Sequence, residues 1–299
     1  MANVLVNETA LHDIADAIRE KNGSQDTYKP SEMADAISDI ESEVTGGTVD
    51  ELAMNTWPSG AITITTSEVK NRAFANKTGI TSVNMPNCTT INATAFADCT
   101  GITSVNAPSL TTITGSYNFQ NCTSLATFNA PNLTSGNSSQ AFANTIITNV
   151  HFENLTLCNS LLQNMKQLVT AVLPNSVNNY AGMTNCTKLQ KADIKGGDSL
   201  TNAFSGCTVF DTLVIRNTAR IPLSNVNCFN NTKFKSGGDG GTIYIYKSLY
   251  DELGTGSSND YKAATNWSTV DGYGTITWAP IEGSYYETHY VDDTEIPTE

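Results

Sequence analysis

Residues 96–113 read FADCTGITSVNAPSLTTI. The segment FANKTGITSVNMPNCTTI begins 22 residues earlier, at Phe74, and FQNCTSLATFNAPNLTSG begins 23 residues later, at Phe119. Self-similarity at such a period is typical of repeat proteins, in which each unit buries its apolar side chains against its neighbours. The stretch therefore predicts a solenoid.

The repeat extends over most of the chain. Positions equivalent to Phe96 recur every 20–25 residues and give about eight units; they are Phe74, Phe96, Phe119, Phe142, Leu162, Met183, Phe204 and Phe229. Alternating pieces such as TSVN and LTTI predict short strands with one buried face, and AFxxC predicts a single turn. We therefore expect an α+β or mostly β solenoid over residues 61–247. Its core is predicted to contain the four phenylalanines at the head of the first units, with Ile102, Val105, Leu110 and Ile113.

The seven cysteines follow the repeat. Four of them, Cys99, Cys122, Cys186 and Cys207, stand three residues after the aromatic position. Because cysteine behaves as a small buried hydrophobe, this placement favours reduced packing residues. A redox or metal role is the alternative, but no CxxC pair occurs to support it.

The charge of the chain is concentrated at its ends. Residues 1–50 hold 11 acids and 3 bases, residues 282–299 hold 6 acids and no base, and residues 51–281 hold 12 acids and 13 bases. Neither acidic ends nor a near-neutral middle suits phosphate neutralisation, so we expect no nucleic-acid partner and no docking on anionic membranes. The start has no basic and apolar leader, which predicts a protein assembled in a cytoplasm.

We find no constellation that predicts catalysis. The three histidines lie in different regions, and no nucleophile, phosphate-binding or zinc-protease motif occurs. GGDGGT at 237–242 permits a calcium interpretation, but it has too few ligands and a plain turn is favoured. We therefore expect no enzyme activity, no catalytic residue, no cofactor and no metal. The outward rows of Thr, Ser and Asn, with Tyr117 and Tyr180, form a candidate recognition surface.

The N-terminal residues predict a helical hairpin over 1–44, followed by a linker over 45–60. Six apolar residues fall on one face of the two helices: Leu11, Ile14, Ile18, Met33, Ile37 and Ile40. A hairpin of this size is too small to bury its own core, so this face is predicted to be covered by another protein on which it docks, by a second copy in an oligomer contact, or by the solenoid.

The unit AFxxCTGITSVNAPSLTTI resembles the BspA-type leucine-rich repeat. That resemblance implies a curved leucine-rich-repeat solenoid, used on cell surfaces and virions as a binding scaffold. The segment IYIYKSLYDEL…YKAATNWSTV resembles the terminal unit of such arrays. It implies a capping unit and acidic tail over 248–299, in which a helix bears Tyr261, Ala264 and Trp267, and Trp267 closes the end of the core.

The pattern LxxIAxAIRxKxG followed by YxPxEMAxAI, over residues 11–37, resembles a segment near the start of tail and other structural proteins of phages and prophages of gut Gram-positive bacteria. It implies a virion protein, whereas an ordinary amphipathic hairpin is the plain alternative. The expectation is a tail fibre or baseplate receptor-binding protein. It would bind other phage structural proteins through residues 1–44, form a homo-oligomer such as a trimer, and contact host glycopolymer or protein through the solenoid. The alternatives are a capsid decoration protein and a bacterial surface adhesin.

Overall fold

The computed structural model describes residues 59–177, 181–196, 200–223, 227–234, 240–264, 266–267 and 276–289. They all lie in one unit of the chain, Trp57–Glu299. The predicted hairpin over 1–44, the linker up to residue 58, Tyr180, Asp239 and residues 290–299 of the acidic tail lie outside the described residues.

Short strands dominate the described residues. In chain order they are β1 (Gly60–Thr63), β2 (Glu68–Val69), β3 (Ile80–Asn84), β4 (Thr90–Ile91), β5 (Ser104–Asn106), β6 (Thr112–Ser116), β7 (Thr127–Asn129), β8 (Ser135–Ser139), β9 (Asn149–His151), β10 (Leu157–Asn159), β11 (Thr170–Leu173), β12 (Lys191–Ile194), β13 (Thr212–Ile215), β14 (Thr242–Ile245) and β15 (Thr277–Pro280). Among the described residues, the remaining elements are one α-helix, α1 (Lys247–Tyr250), and one 3₁₀ helix (Tyr285–Glu287).

The strands pair in parallel into three sheets. The first sheet has the order β1-β3-β5-β7, the second β10-β8-β6-β4-β2 and the third β15-β14-β13-β12-β11-β9. Each strand pairs with its equivalent one coil away, so that like residues lie over like: Val83 pairs with Val105, and Val105 with Phe128. The predicted solenoid is confirmed as a mostly β, parallel one.

The helical content is lower than the α+β alternative requires. Each AFxxC segment closes the coil with a tight turn, which we call a corner, and not with a helix. The eight predicted units become about seven turns, because eight corners bound seven complete turns. Within the described part of the chain, no helix is long and apolar enough to cross a membrane.

The core is a column of aromatic and apolar side chains at the corners. Phe74, Phe96, Phe119 and Phe142 stack almost in parallel, with ring centroids 5.1, 5.0 and 5.6 Å apart. Phe74 is half-buried, because it stands in the first described coil, whereas the next three are fully buried. The remaining predicted core residues are buried as well: Ile102, Val105, Leu110 and Ile113.

The column ends at the C-terminal unit. The ring of Trp267 lies 6.0 Å from that of Phe229, and its indole N–H donates to the Ile221 carbonyl at 2.8 Å. Tyr261 and Ala264 are buried, but residues 261–264 form turns where the resemblance implies a helix. The physical reason is local: the Asp260 carboxylate accepts from the Lys262 amide at 2.8 Å and closes a turn of its own.

A second, smaller core lies on the outer face of the third sheet. Residues 281–289, which we call the strap, cover this face with Ile281 and Tyr286, which pack on Val172 and Val214. Beneath the strap, the buried Asp193 accepts two hydrogen bonds of 2.7 Å from the Arg216 guanidinium. The guanidinium also donates to strap carbonyls, at 3.1 Å to Tyr286 and 2.8 Å to His289.

Candidate recognition surface

The corners from Phe74 to Phe204 each carry two residues in left-handed backbone conformation, one lying two positions before and one two positions after the stacked position, and the corner at Phe229 carries one, Asn231. In the first four corners, the N–H at both positions donates to a carbonyl of the next coil. Around Phe119, for example, Tyr117 donates to Ser139 and Asn121 donates to Ala143, each at 2.9 Å. The two positions therefore share one conformation and one kind of hydrogen bond.

The second of these positions forms a row that we call the Asn row. It consists of Asn76, Asp98, Asn121, Asn144, Asn164, Asn185, Gly206 and Asn231. Asn, Asp and Gly are the residues that adopt this conformation most readily. The side chains also bond to one another between coils: Asn121 donates to Asp98 and Asn144 donates to Asn121, each at 2.8 Å. Backbone preference and side-chain bonding thus both explain the composition of this row.

The first of these positions forms a row that we call the outer row, and its composition is different. In the first five described corners it consists of Arg72, Thr94, Tyr117, Gln140 and Ser160, with φ between 51° and 61°. Side chains of these types resist the left-handed region, at about 1–2 kcal/mol per residue. The backbone therefore does not explain the composition of the outer row.

The side chains of the outer row also make few internal bonds. The Thr94 hydroxyl donates to the adjacent Ala93 carbonyl at 2.7 Å. For the other four, no side-chain hydrogen bond to another described residue is present. Tyr117 is 38% exposed, and no other ring stacks on it within the described ranges. Arg72 and Tyr117 are exposed, and Thr94, Gln140 and Ser160 are partly exposed, so a ligand can reach these side chains.

Many of the other polar side chains at the surface form hydrogen bonds with neighbouring coils. Thr89, Thr111, Thr134 and Thr156 each donate their hydroxyl to the coil before, at 3.0–3.1 Å. On the first sheet, Asn106 donates to Asn84 at 2.9 Å and Asn129 to Asn106 at 2.7 Å. These rows, which the sequence analysis includes in the candidate recognition surface, have a structural role of joining the coils.

The cysteines form a further structural row inside the coils. The Cys99 thiol donates to the Phe74 carbonyl at 2.9 Å, and the Cys122 thiol donates to the Phe96 carbonyl at 3.1 Å. All seven cysteines are buried, and none of them forms a disulfide. Burial raises the pKa of Cys99 to about 11 and that of Cys158 to about 12, so neither thiol ionises at neutral pH. A buried thiol with a raised pKa is a poor nucleophile and a poor metal ligand.

The middle coils contain few charged residues. Between Lys77 and Lys166 the chain has no lysine or arginine and two acidic residues, Asp98 and Glu153. His151 contacts Glu153 at 3.1 Å at the surface. No group of three potential metal ligands occurs in the part of the chain that the structure describes. The surface around Tyr117 is therefore polar with few charges, and the nearby charged group is Asp98, which accepts from Asn121 on the same corner as Tyr117.

Of the two tyrosines predicted at the surface, the structure describes Tyr117 alone. The other four members of the outer row are not identified by the sequence analysis. The repeat alignment contains a signal for them: two residues before each stacked position the residue type changes from unit to unit, while two residues after it stays Asn, Asp or Gly.

Several solved structures are similar to the chain at low identity. A leucine-rich repeat protein of T. pallidum is 21% identical over 52% of this chain and 71% of that one, with a TM-score of 0.36. One from Bacteroides ovatus is 16% identical over 73% and 66%, with a TM-score of 0.38. A leucine rich cell surface protein from Faecalibacterium prausnitzii is 15% identical over 76% and 89%, with a TM-score of 0.23.

The sequence comparisons match a smaller part of the chain than the structural comparisons do. No curated protein matches the chain. Six copies of one family pattern match residues 58–169, and that pattern describes a repeat region and not a catalytic domain. Over residues 58–169 the chain is therefore similar to the BspA type leucine rich repeat region, the family that its repeated unit resembles.

Proposed function

We propose that this chain is a non-enzymatic structural protein of a phage particle, at the tail fibre or baseplate, and that its solenoid contacts the host cell surface. The phage assignment is supported by the sequence pattern of residues 11–37. The observation that carries the binding role is the outer row. Its side chains stand at a strained backbone position without bonds to other coils, so a ligand accounts for them better than the fold does.

In this proposal the parts of the chain have separate roles. Residues 1–44 dock on other phage structural proteins and hold a homo-oligomer, such as a trimer, within a virion assembled in the host cytoplasm. The solenoid presents several weak contacts to host glycopolymer or protein. Several copies on one particle multiply these contacts through their high effective concentration. Nucleic acid and membrane are not partners, since the middle coils offer no cationic surface.

Electron microscopy of particles labelled with an antibody against the solenoid tests the location. The expected result is label at the tail tip. Label on the head would replace the proposal with a capsid decoration protein. Label on bacterial cells without particles would replace it with a surface adhesin.

Binding of the purified full chain to cells tests the activity. Fluorescently labelled protein is expected to saturate on host cells and to bind cells of non-host strains much more weakly. A mixture with excess unlabelled protein provides the specificity control. Equal binding to host and non-host cells would overturn the receptor-binding role.

A further inference from the structure

We infer that the outer row, centred on Tyr117, is a binding site for an uncharged polysaccharide that lies across successive coils. This inference rests on the proposed function and deepens it, because it names the residues and the ligand class of the contact. The residues involved are Thr94, Tyr117, Gln140 and Ser160, with Gln120 beside Tyr117 on the same corner.

The comparison of the two rows carries the inference. The Asn row and the outer row have the same backbone conformation and the same hydrogen bonds to the next coil. In the Asn row the sequence follows the backbone preference. In the outer row it keeps Thr, Tyr, Gln and Ser against that preference. Strain retained at a position where the side chain makes no hydrogen bond to another coil indicates a functional site.

The chemistry of the row indicates a hydroxylated ligand. Tyr117 offers an exposed aromatic face and a hydroxyl, a combination suited to a partner with both apolar and polar groups. Gln140 occupies the same position one coil on, about 4.8 Å away by the spacing of paired parallel strands. Carboxamides both donate and accept hydrogen bonds, as sugar hydroxyls do. The flanking Ser116 and Ser139 are small and leave the tyrosine ring accessible.

Charge and apolar content narrow the ligand class further. The stretch between Lys77 and Lys166 has no cationic residue, so a polyanion gains nothing there. A protein partner would need a cluster of apolar anchors. Among the described residues, the exposed large hydrophobic side chains are Tyr117 and Ile146, on different sides of their corners in sequence. An uncharged polysaccharide fits this surface better than either.

The variant Tyr117→Asn separates binding from folding. Asparagine accepts the left-handed conformation, so the fold is expected to be as stable as in the parent chain or more so. The full chain would be run in native gels containing one of four neutral polysaccharides: dextran, a β-glucan, a mannan or a galactan. We expect at least one of them to retard the parent chain, and Tyr117→Asn to weaken that binding by at least tenfold.

The matched control is Asn144→Gly, in the Asn row. Asn144 is exposed and lies one coil from Tyr117, and glycine, like asparagine, is suited to the left-handed region. Binding of this variant should equal that of the parent chain. Dextran sulfate provides a charged polymer with the same backbone as dextran, and it should not bind more tightly than dextran.

Three results would overturn the inference: no retardation by any of the four neutral polymers, retardation that persists in Tyr117→Asn, or tighter binding of dextran sulfate. The cell-binding experiment distinguishes this failure from that of the proposed function. If the chain binds host cells selectively and Tyr117→Asn binds them equally well, the receptor-binding role stands and the polysaccharide site falls. A host-selective signal lost on protease treatment of the cells would indicate a protein ligand instead.

Discussion

Asn121 and Tyr117, four residues apart on one corner, show how a single conformation serves two purposes. Both have φ near 60° and both donate their N–H to the following coil. Asn121 adds side-chain bonds to its neighbours in the row, whereas Tyr117 directs its side chain toward solvent. At the residue scale, the fold tolerates strain in the outer row because the backbone hydrogen bonds of each corner hold the conformation.

Stability measurements on the two rows test this account. Thr94→Asn places a suitable residue in the outer row, and we expect the free energy of unfolding to rise by about 0.5–1 kcal/mol. Asn121→Ala removes a suitable residue and its bonds from the Asn row, and we expect a loss of about 1–2 kcal/mol. Urea unfolding followed by circular dichroism measures both. Changes of the same sign in the two variants would contradict the account.

The buried thiols predict a pH dependence of stability. A thiol has a pKa of 9.0 before burial, and burial raises the pKa of Cys158 and Cys207 to about 12. The buried thiols therefore keep their protons to a higher pH in the folded state than in the unfolded state. Their contribution to the free energy of unfolding is complete below pH 9 and is lost as the pH rises toward 12. We expect the urea midpoint to fall as the pH rises above 9 toward 12.

The variant Cys207→Ala isolates the thiol in that measurement. Removing one such group should make the fall in stability shallower by about 1.4 kcal/mol per pH unit between pH 9 and pH 12, compared with the parent chain. Identical slopes for the parent chain and the variant would show that the thiol does not contribute.

At the scale of elements, the strap changes the character of the third sheet. Val172, Asp193 and Val214 follow one another on the outer face of β11, β12 and β13, a face that would otherwise meet water. Ile281 and Tyr286 cover the two valines, and Arg216 joins Asp193 to the strap backbone. The first sheet keeps its outer face exposed, so the two ends of the solenoid present different surfaces.

Breaking the ion pair should be costly. Arg216→Ala leaves the Asp193 carboxylate buried without its guanidinium, and we expect a loss of about 3–5 kcal/mol with proteolytic cleavage in the strap. The exposed Lys195→Ala, just after β12, is the control and should change stability by less than about 0.5 kcal/mol.

The double variant Asp193→Val with Arg216→Met continues the valine row under the strap. Apolar replacement of a buried pair is often neutral, so most of the lost stability should return. A double variant as unstable as Arg216→Ala would show that the charges themselves are needed.

At the scale of the whole solenoid, stability is a sum of coil and interface terms, because each coil contacts its neighbours alone. Trp267 packs on Phe229 at the C-terminal end of the aromatic column. Trp267→Ala should cost about 3–5 kcal/mol in that region. Hydrogen exchange should accelerate in β13 and β14 and stay unchanged in β3 and β5.

Ile146→Ala is the control for that experiment, since Ile146 is 45% exposed and lies away from the column's end. Its exchange pattern should match that of the parent chain. Uniform acceleration across all strands in Trp267→Ala would contradict the nearest-neighbour description and indicate a solenoid that unfolds as one unit.

The sequence by itself determined the solenoid, its spacing and the column of like residues, because the stacking of equivalent positions requires a period that can be read from the letters. The Asn row follows from residue type as well, since Asn, Asp and Gly signal the left-handed region. The tertiary structure decided which polar residues join coils and which face a ligand, because Tyr117 and the bonded threonines look equally polar in the sequence. It also decided the position of the strap, because Arg216 bonds to Tyr286 and His289, 70 and 73 positions away, and a contact at such a separation leaves no local pattern in the sequence.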